Sequence, residues 1–145
     1  MSIFGAMDVS ATGMTAQQTR MDTISENIAN VNTTRDSEGN VYRRKVVVFE
    51  EKSYPTFSES LSLANGHIGK GVKVSKIVDD PSEGSLVYDP SHPDADEDGY
   101  VMYPNVNTVT EMTNMIDATR AYEANITVLN STKGMALKAL DIGQS

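Results

Sequence analysis

The chain has 145 residues, long enough for one domain with a hydrophobic core, and it carries a formal net charge of −8. This acidic balance disfavours nucleic acid and anionic membranes as partners, because both would repel the surface. The absence of cysteine excludes disulfide bonds and thiolate zinc sites.

The N-terminal stretch MSIFGAMDVSATGM lacks the basic region and the continuous apolar run of a secretory signal. No run elsewhere approaches the roughly 20 apolar residues of a membrane-spanning helix. We therefore expect no membrane insertion. If the protein leaves the cytoplasm, we expect a route that needs no cleaved signal peptide.

A first long helix is predicted over residues 1–34. The positions on one stripe of this helix recur at alternating steps of four and three, and seven of these nine positions are apolar. The nine are Ile3, Met7, Ser10, Met14, Gln17, Met21, Ile24, Ile28 and Val31. This spacing is typical of the seam of a coiled coil. Gly13 should weaken the helix, because glycine has a low helix propensity.

The middle of the chain, residues 35–106, is predicted to form a small β region. Segments rich in β-branched and aromatic residues predict strands within 41–52, 71–80, 85–90 and 99–104. Prolines at the ends of the two shorter segments place them at sheet edges or ends. Residues 53–70, with few large apolar side chains, are interpreted as a loop.

A second long helix is predicted within residues 107–145. Thr108 and Glu111 have the spacing of a capping box, so the helix should start there and stop near Gly143. Gly134 should cost about 1 kcal/mol relative to alanine. Seven of the nine stripe positions are again apolar: Met112, Met115, Thr119, Tyr122, Ile126, Leu129, Lys133, Ala136 and Leu140.

The predicted fold is α+β, with long N- and C-terminal helices that pair around a small inserted β region. Two interpretations of the helices stay open. They could form an ordinary two-helix core within a globular domain. Alternatively, their narrow apolar stripes could leave the flanks exposed, so that the helices gain order by packing against neighbouring subunits.

The acidic run Asp94, Asp96, Asp98 followed by Gly99 resembles the start of a calcium-binding loop. Asn105, however, stands where such a loop needs a bidentate glutamate. A calcium-dependent binding module is therefore one hypothesis, and a solvated acidic turn is the other.

Arg43, Arg44 and Lys45 form the one basic cluster of the sequence. It could pair with acidic groups of a neighbour, or it could protect a solvated sheet edge against aggregation. No nucleophile, base or metal-ligand set has the spacing of a known catalytic motif. We therefore expect neither an enzyme nor a cofactor or metal site.

Two segments carry a specific resemblance to a known family. The segment GMTAQQTRMDTISENIANVNTT (13–34) resembles the N-terminal signature of flagellar axial proteins of the rod and hook. The segment GYVMYPNVNTVTEMTNMIDATRAYEANITVLNSTKGMALKALDIG (99–143) is similar to the C-terminal segment of proximal rod members of that family. VYRRKVVVFEE and YDPSHPDADEDGYV extend the resemblance into the middle of the chain.

The resemblance implies a structural subunit of the basal-body rod, exported by the flagellar type III apparatus and assembled into the tube that transmits torque across the periplasm. Implied partners are further copies, other proximal and distal rod proteins, basal-body ring proteins and the export apparatus. Residues 1–34 and 107–145 would form a coiled-coil core domain. The acidic run would then be a family segment that leads into the second helix.

The resemblance also implies a seam in which helices of neighbouring subunits pack together. The residues that we predict for this seam are Met14, Met21, Ile24, Ile28, Val31, Met112, Met115, Tyr122, Ile126, Leu129 and Leu140.

Overall fold

The computed structural model describes residues 3–35, 39–52, 61 and 71–143. Its elements in chain order are α1 (Ile3–Ala29), β1 (Lys45–Glu51), β2 (Val72–Asp79), β3 (Ser85–Tyr88), β4 (Tyr100–Tyr103) and α2 (Thr108–Gly143). Long helices at the two ends of a small β region confirm the predicted α+β fold. The expected loop over 53–70 lies outside the described residues apart from position 61.

Each of the four predicted strand segments contains one strand, and the strands pair two by two, β1 with β2 and β3 with β4. Backbone hydrogen bonds join Asp80 to Arg44 at one end of the first pair and Lys52 to Gly71 at the other, so these strands run antiparallel. The β3–β4 pair is also antiparallel, with Val87 opposite Val101.

Helix α1 ends at Ala29, short of the predicted residue 34. The side-chain Nδ2 of Asn30 donates to the carbonyl of Glu26, and its Oδ1 accepts the hydroxyl of Thr33. The backbone carbonyl of Asn30 accepts the N–H of Thr33. These local bonds offer the backbone an alternative to the helix. Val31, predicted as the last stripe residue of the helix, therefore lies in the turn that follows it.

Helix α2 begins at Thr108 and ends at Gly143, as predicted. The predicted capping box of Thr108 and Glu111 is wrong. Asn107 is the N-cap, since its side-chain oxygen accepts the N–H of Thr110 at 3.0 Å. The carboxylate of Glu111 instead accepts hydrogen bonds from Arg44 and Asn27.

The chain divides into two compact units. The first contains residues 3–19 of α1, residues 118–143 of α2 and the adjacent parts of β1 and β2. Each of its helix segments has a buried small residue, Ala16 on α1 and Ala118 on α2. A Cβ added to Gly13 would lie 3.0 Å from Oδ1 of Asn125. Gly13 therefore permits the close approach of the two helix segments.

The second unit contains residues 20–48 and 76–117. Its apolar core is small: Ile24 of α1 and Val101 of β4 are buried, at 5% and 0% exposure. Polar side chains share this interior, since Asn27 and Glu111 are fully buried. Over the described ranges, no helix combines the length and the apolar character that crossing a bilayer requires.

Candidate functional site

A group of hydrogen-bonded side chains, the polar cluster, lies in the second unit and consists of Asn27, Tyr42, Arg44, Asp80, Asn105 and Glu111. At its centre the guanidinium of Arg44 bonds Oε1 of Glu111 through Nε at 2.9 Å and Nη2 at 2.8 Å. The other oxygen, Oε2, accepts a hydrogen bond from Asn27 at 3.0 Å. Both oxygens of this buried carboxylate therefore accept hydrogen bonds, which offset the cost of burying its charge.

The side chain of Asn27 links the end of α1 to the strand segment that follows. Its Oδ1 accepts hydrogen bonds from the hydroxyl of Tyr42 at 2.9 Å and from the N–H of Lys45 at 2.8 Å. Its Nδ2 donates to the carbonyl of Lys45 at 2.9 Å and to Glu111. A buried amide with both groups satisfied fixes its neighbours with high geometric specificity.

Asp80 and Asn105 extend the polar cluster to the end of β2. Nη1 of Arg44 lies 3.3 Å from the carboxylate of Asp80. Asn105 accepts the N–H of Arg44 at 2.8 Å and donates to the carbonyls of Asp80 and Ser82. Segments far apart in the sequence are thus joined by one continuous set of hydrogen bonds.

The pKa values in the polar cluster follow from this arrangement. Burial, reinforced by the negative charges of Glu26, Asp79 and Glu111, raises the pKa of Tyr42 to about 12. Burial opposes the charge of Arg44, but hydrogen bonds to Glu111 and Asp80 outweigh it and raise the pKa. Hydrogen bonds from Ser82 lower the pKa of Asp80. Arg44 and Asp80 therefore stay charged at neutral pH.

The basic cluster of the sequence finds acidic partners within the chain. Arg44 pairs with Glu111 and Asp80, and Lys45 pairs with Glu26 of α1. Arg43, which faces the other way, is exposed. Arg44 and Lys45 thus bind acidic groups of their own chain, an arrangement that neither of the two interpretations left open by the sequence described.

The acidic run from Asp94 to Gly99 forms a hydrogen-bonded turn between β3 and β4. Oδ1 of Asp96 accepts the N–H groups of Asp98 and Tyr100, and Gly99 occupies the left-handed region with φ +83°. The carboxylate of Asp94 accepts the hydroxyl of Thr34 and pairs with Arg35 at 2.9 Å. Among the described residues, no three acidic or histidine side chains converge as a metal site would require. This geometry gives the calcium hypothesis no support.

The predicted seam residues differ in exposure. Ile24 is buried, whereas Met112 and Leu140 are 57% and 64% exposed. The others are half-buried: Met14, Met21, Ile28, Val31, Met115, Tyr122, Ile126 and Leu129. Packing of these residues between subunits remains a prediction.

Further exposed apolar residues on α2 lie outside the predicted stripe. In the second unit these are Val109 and Ile116, at 74% and 53% exposure. In the first unit Val128, Met135, Leu137 and Ile142 are 50%, 59%, 54% and 76% exposed. Val128, Met135 and Ile142 recur every seven residues, a spacing that would have revealed this second stripe in the sequence. We call Val128, Met135 and Ile142 the outer stripe.

An open cleft of about 870 Å³ lies in the second unit, between the segment that follows α1 and the β3–β4 pair. Its lining is mainly polar and charged, with Glu26, Asp79 and Glu83 beside Arg43 and Lys45, and Met102 at its edge. The mixed charges do not form a site for one small ligand class.

Comparison with protein families gives two matches at the two ends of the chain. The family model described as flagella basal body rod protein matches residues 7–35. The model described as the C-terminal part of the flagellar basal body rod FlgEFG protein matches residues 97–142. The matched ranges contain most of α1 and nearly all of α2.

Full-length relatives agree with these matches. The chain is 47% identical to the flagellar basal-body rod protein FlgC of Bacillus subtilis, over 99% of this chain and 100% of the relative. It is 48% identical to FlgC of Borreliella burgdorferi, over 99% of both chains. It is 38% identical to FlgC of Escherichia coli O157:H7, over 99% of this chain and 100% of the relative. The chain therefore belongs to the family of the flagellar basal-body rod protein FlgC.

Proposed function

We propose that the chain, a structural subunit of the flagellar basal-body rod, assembles into the rod through its two terminal helices. The outer stripe of α2 carries this proposal, because three large apolar side chains at heptad spacing are left uncovered. Covering such a side chain is favourable by about 1.5–3 kcal/mol when burial is complete. A neighbouring helix with a complementary stripe supplies that cover.

The predicted seam complements the outer stripe. Its half-buried members, such as Tyr122 and Leu129, lie on the side of α2 that includes buried Ala118. The exposed seam residues Met112 and Leu140 add apolar surface at other points of the helix. A helix with apolar surface on several sides suits a position among several neighbouring helices.

The finer assignment follows the family resemblance. The chain would occupy the proximal rod, with residues 1–34 and 107–145 as its core domain and 35–106 farther from the axis. Its partners would be further copies, other proximal and distal rod proteins, ring proteins and the export apparatus. It would reach the periplasm without a cleaved signal peptide and transmit torque there as a passive element, with no enzymatic activity.

The polar cluster supports this mechanical role. It connects the end of α1, the start of β1, the end of β2 and the start of α2 by charge-assisted hydrogen bonds. Such bonds are directional and are roughly twice as strong as hydrogen bonds between neutral groups. A subunit under torsional load needs this kind of fixed junction.

The test compares Met135→Asp with Ser131→Asp, both at exposed positions near the C-terminal end of α2. Each change adds one negative charge, and neither position lies in the last turn of α2, where the helix dipole acts. Serine and aspartate have similar helix propensities, whereas methionine is a better helix former, so Met135→Asp carries an additional helix cost of a few tenths of a kcal/mol. We expect Met135→Asp to abolish swimming and to be missing from purified basal bodies. Ser131→Asp should remain motile and should be incorporated.

The stability of each purified monomer is measured by urea unfolding. Because Met135 is exposed, both variants should stay within about 0.5 kcal/mol of the unmodified chain. Normal incorporation of Met135→Asp would contradict the proposal. Loss of incorporation together with a large loss of monomer stability would also contradict it, since Met135 would then act within the subunit.

A further inference from the structure

One face of the β3–β4 pair is apolar and uncovered. In the antiparallel register Leu86 lies opposite Met102 and Tyr88 opposite Tyr100, so the four side chains project from the same face. We call these four residues the ribbon face. Their exposed fractions are 62%, 38%, 64% and 44% for Leu86, Met102, Tyr88 and Tyr100. A contiguous exposed apolar patch often marks an interaction site, whereas single exposed apolar residues are common on protein surfaces.

The ribbon face is held in place from the opposite side. Val101, which alternates with Tyr100 and Met102, is fully buried, and Pro104 after β4 is buried as well. The rings of Tyr88 and Tyr100 pack edge to face, with centroids 5.2 Å apart. A preorganised aromatic surface loses little conformational entropy when a partner binds.

The charge around the ribbon face is negative. Between Lys76 and Arg120 the sequence contains no lysine or arginine and ten of the 20 acidic residues. Glu83 lies next to one end of the strand pair, and Asp89, Glu97 and Asp98 lie at the other end. Arg35 pairs with Asp94, and none of these four carboxylates forms a salt bridge with another described residue.

The negative charge around the ribbon face favours a basic partner. Contact between two ribbon faces in a symmetric dimer would bring equal negative charges together, and other faces of a second copy are also disfavoured, because the chain as a whole carries a net charge of −8. A partner with lysine or arginine around an apolar centre is complementary to the ribbon face in both charge and apolar character.

We propose that the ribbon face binds a basic protein surface with an apolar centre on another component of the basal body, and not on a second copy of this chain. The inference rests on the proposed function, because it is the assembled basal body that supplies the partner. The terminal helices and the ribbon face would then make separate contacts with separate surfaces.

The test is site-specific photo-cross-linking in purified basal bodies. Benzoylphenylalanine replaces Tyr88 or Tyr100 in two separate variants. The control replaces Val87, which is 44% exposed but lies on the opposite face of β3. Mass spectrometry identifies the cross-linked peptides. We expect Tyr88 and Tyr100, but not Val87, to cross-link to another protein, within segments where lysine and arginine outnumber acidic residues.

A second pair of variants examines the charge. Glu97→Lys combined with Asp98→Lys should lower the cross-linking yield from Tyr88 roughly fivefold or more, because two favourable charge contacts become repulsive. Asp22→Lys, an exposed reversal on α1, should leave the yield unchanged. Equal yields in all three proteins would overturn the electrostatic part of the proposal.

Two outcomes overturn the proposal as a whole: cross-links from Tyr88 to a second copy of this chain, and no intermolecular cross-link although the protein is present in basal bodies. A probe at Met135 reports on the helices in the same preparations. Cross-links from Met135 without any from Tyr88 would reject the ribbon face alone. Absence of the unmodified protein from basal bodies would instead reject the proposed function.

Discussion

The guanidinium of Arg44 and the carboxylate of Glu111 form an ion pair whose acidic member is fully buried, with Nη2 2.8 Å from Oε1. The two residues are separated by 67 positions in the sequence, so the pair fixes the strand segment after α1 to the first turn of α2. Burying a carboxylate is costly, and this carboxylate is tolerated because Arg44 and Asn27 bond both of its oxygens.

Arg44→Met should strongly destabilise the monomer. The substitution leaves the charge of Glu111 buried without its cation, a change that costs about 3–5 kcal/mol in comparable pairs. The side chain of Arg44 is 24% exposed, so we expect about 3 kcal/mol, since water can reach part of the vacated space. Urea unfolding followed by circular dichroism measures the loss.

Arg43→Met is the matched control, because Arg43 is the exposed neighbour of Arg44. It should change the free energy of unfolding by less than about 0.5 kcal/mol. Equal losses in the two variants would mean that positive charge in this segment, rather than the ion pair, matters. A double-mutant cycle with Glu111→Gln should show coupling of at least about 1 kcal/mol.

Tyr42→Phe should alter the dependence of stability on alkaline pH. The folded chain raises the pKa of Tyr42 to about 12, whereas an unfolded tyrosine has a pKa of about 10. The stabilising contribution is therefore complete below pH 10 and is lost as the pH rises from about 10 to 12. Tyr42→Phe has no such group, so its stability should decline less over that interval.

The comparison uses free energies of unfolding at several pH values between 8 and 12. At pH 8 the variant should be less stable by about 1 kcal/mol, because the hydroxyl no longer donates to Asn27. The difference should shrink above pH 10. A difference independent of pH would show that the hydroxyl is not shielded from water in solution.

Substitution of two helix glycines by alanine should give different results. Gly134 has no atom within 4 Å of an added Cβ, so Gly134→Ala should stabilise the monomer by about 1 kcal/mol through helix propensity. At Gly13 the added Cβ would press on the side chain of Asn125, which is held by a bond to the carbonyl of Ala121. Gly13→Ala should therefore gain less, or destabilise.

Thermal unfolding of the two variants decides between propensity and packing. Equal stabilisation by both would show that the helix segments in the first unit do not approach as closely as the structure describes. A melting temperature that is highest for Gly134→Ala, intermediate for the unmodified chain and lowest for Gly13→Ala would support the close contact at Asn125.

Local sequence patterns were sufficient to predict the elements but not the polar cluster. Alternating β-branched residues placed the strands, and the apolar stripes placed both helices, because these signals depend on neighbours a few residues away. Asn27, Arg44, Asp80 and Glu111 come together only through the fold. Arg44 stood out as part of a basic run, yet alternation along a strand could not identify its partner.

The error at the start of α2 has the same origin. Thr108 and Glu111 match a capping box locally, and Asn107 is an equally good N-cap residue. The carboxylate of Glu111 forms an ion pair with Arg44, so it does not form the capping bond that the local pattern predicts. With that side chain engaged, the cap moves one residue earlier, to Asn107.

Amide hydrogen exchange along α2 should reveal a gradient in the isolated monomer. Residues near Glu111 and Ala118, both fully buried, should exchange slowly. Over 133–143 every side chain except the half-buried Ala136 is exposed, so few tertiary contacts resist opening. We expect exchange there to be about 100-fold faster than over 111–118.

Two further samples separate the causes of this gradient. In Arg44→Met the protection over 111–118 should fall towards that of 133–143, because the polar cluster no longer holds the first turns of α2. In purified basal bodies the protection over 133–143 should rise, because neighbouring subunits cover the outer stripe. Slow exchange over 133–143 already in the monomer would show that this part of α2 is ordered without neighbours, and the outer stripe would then not be needed to order it.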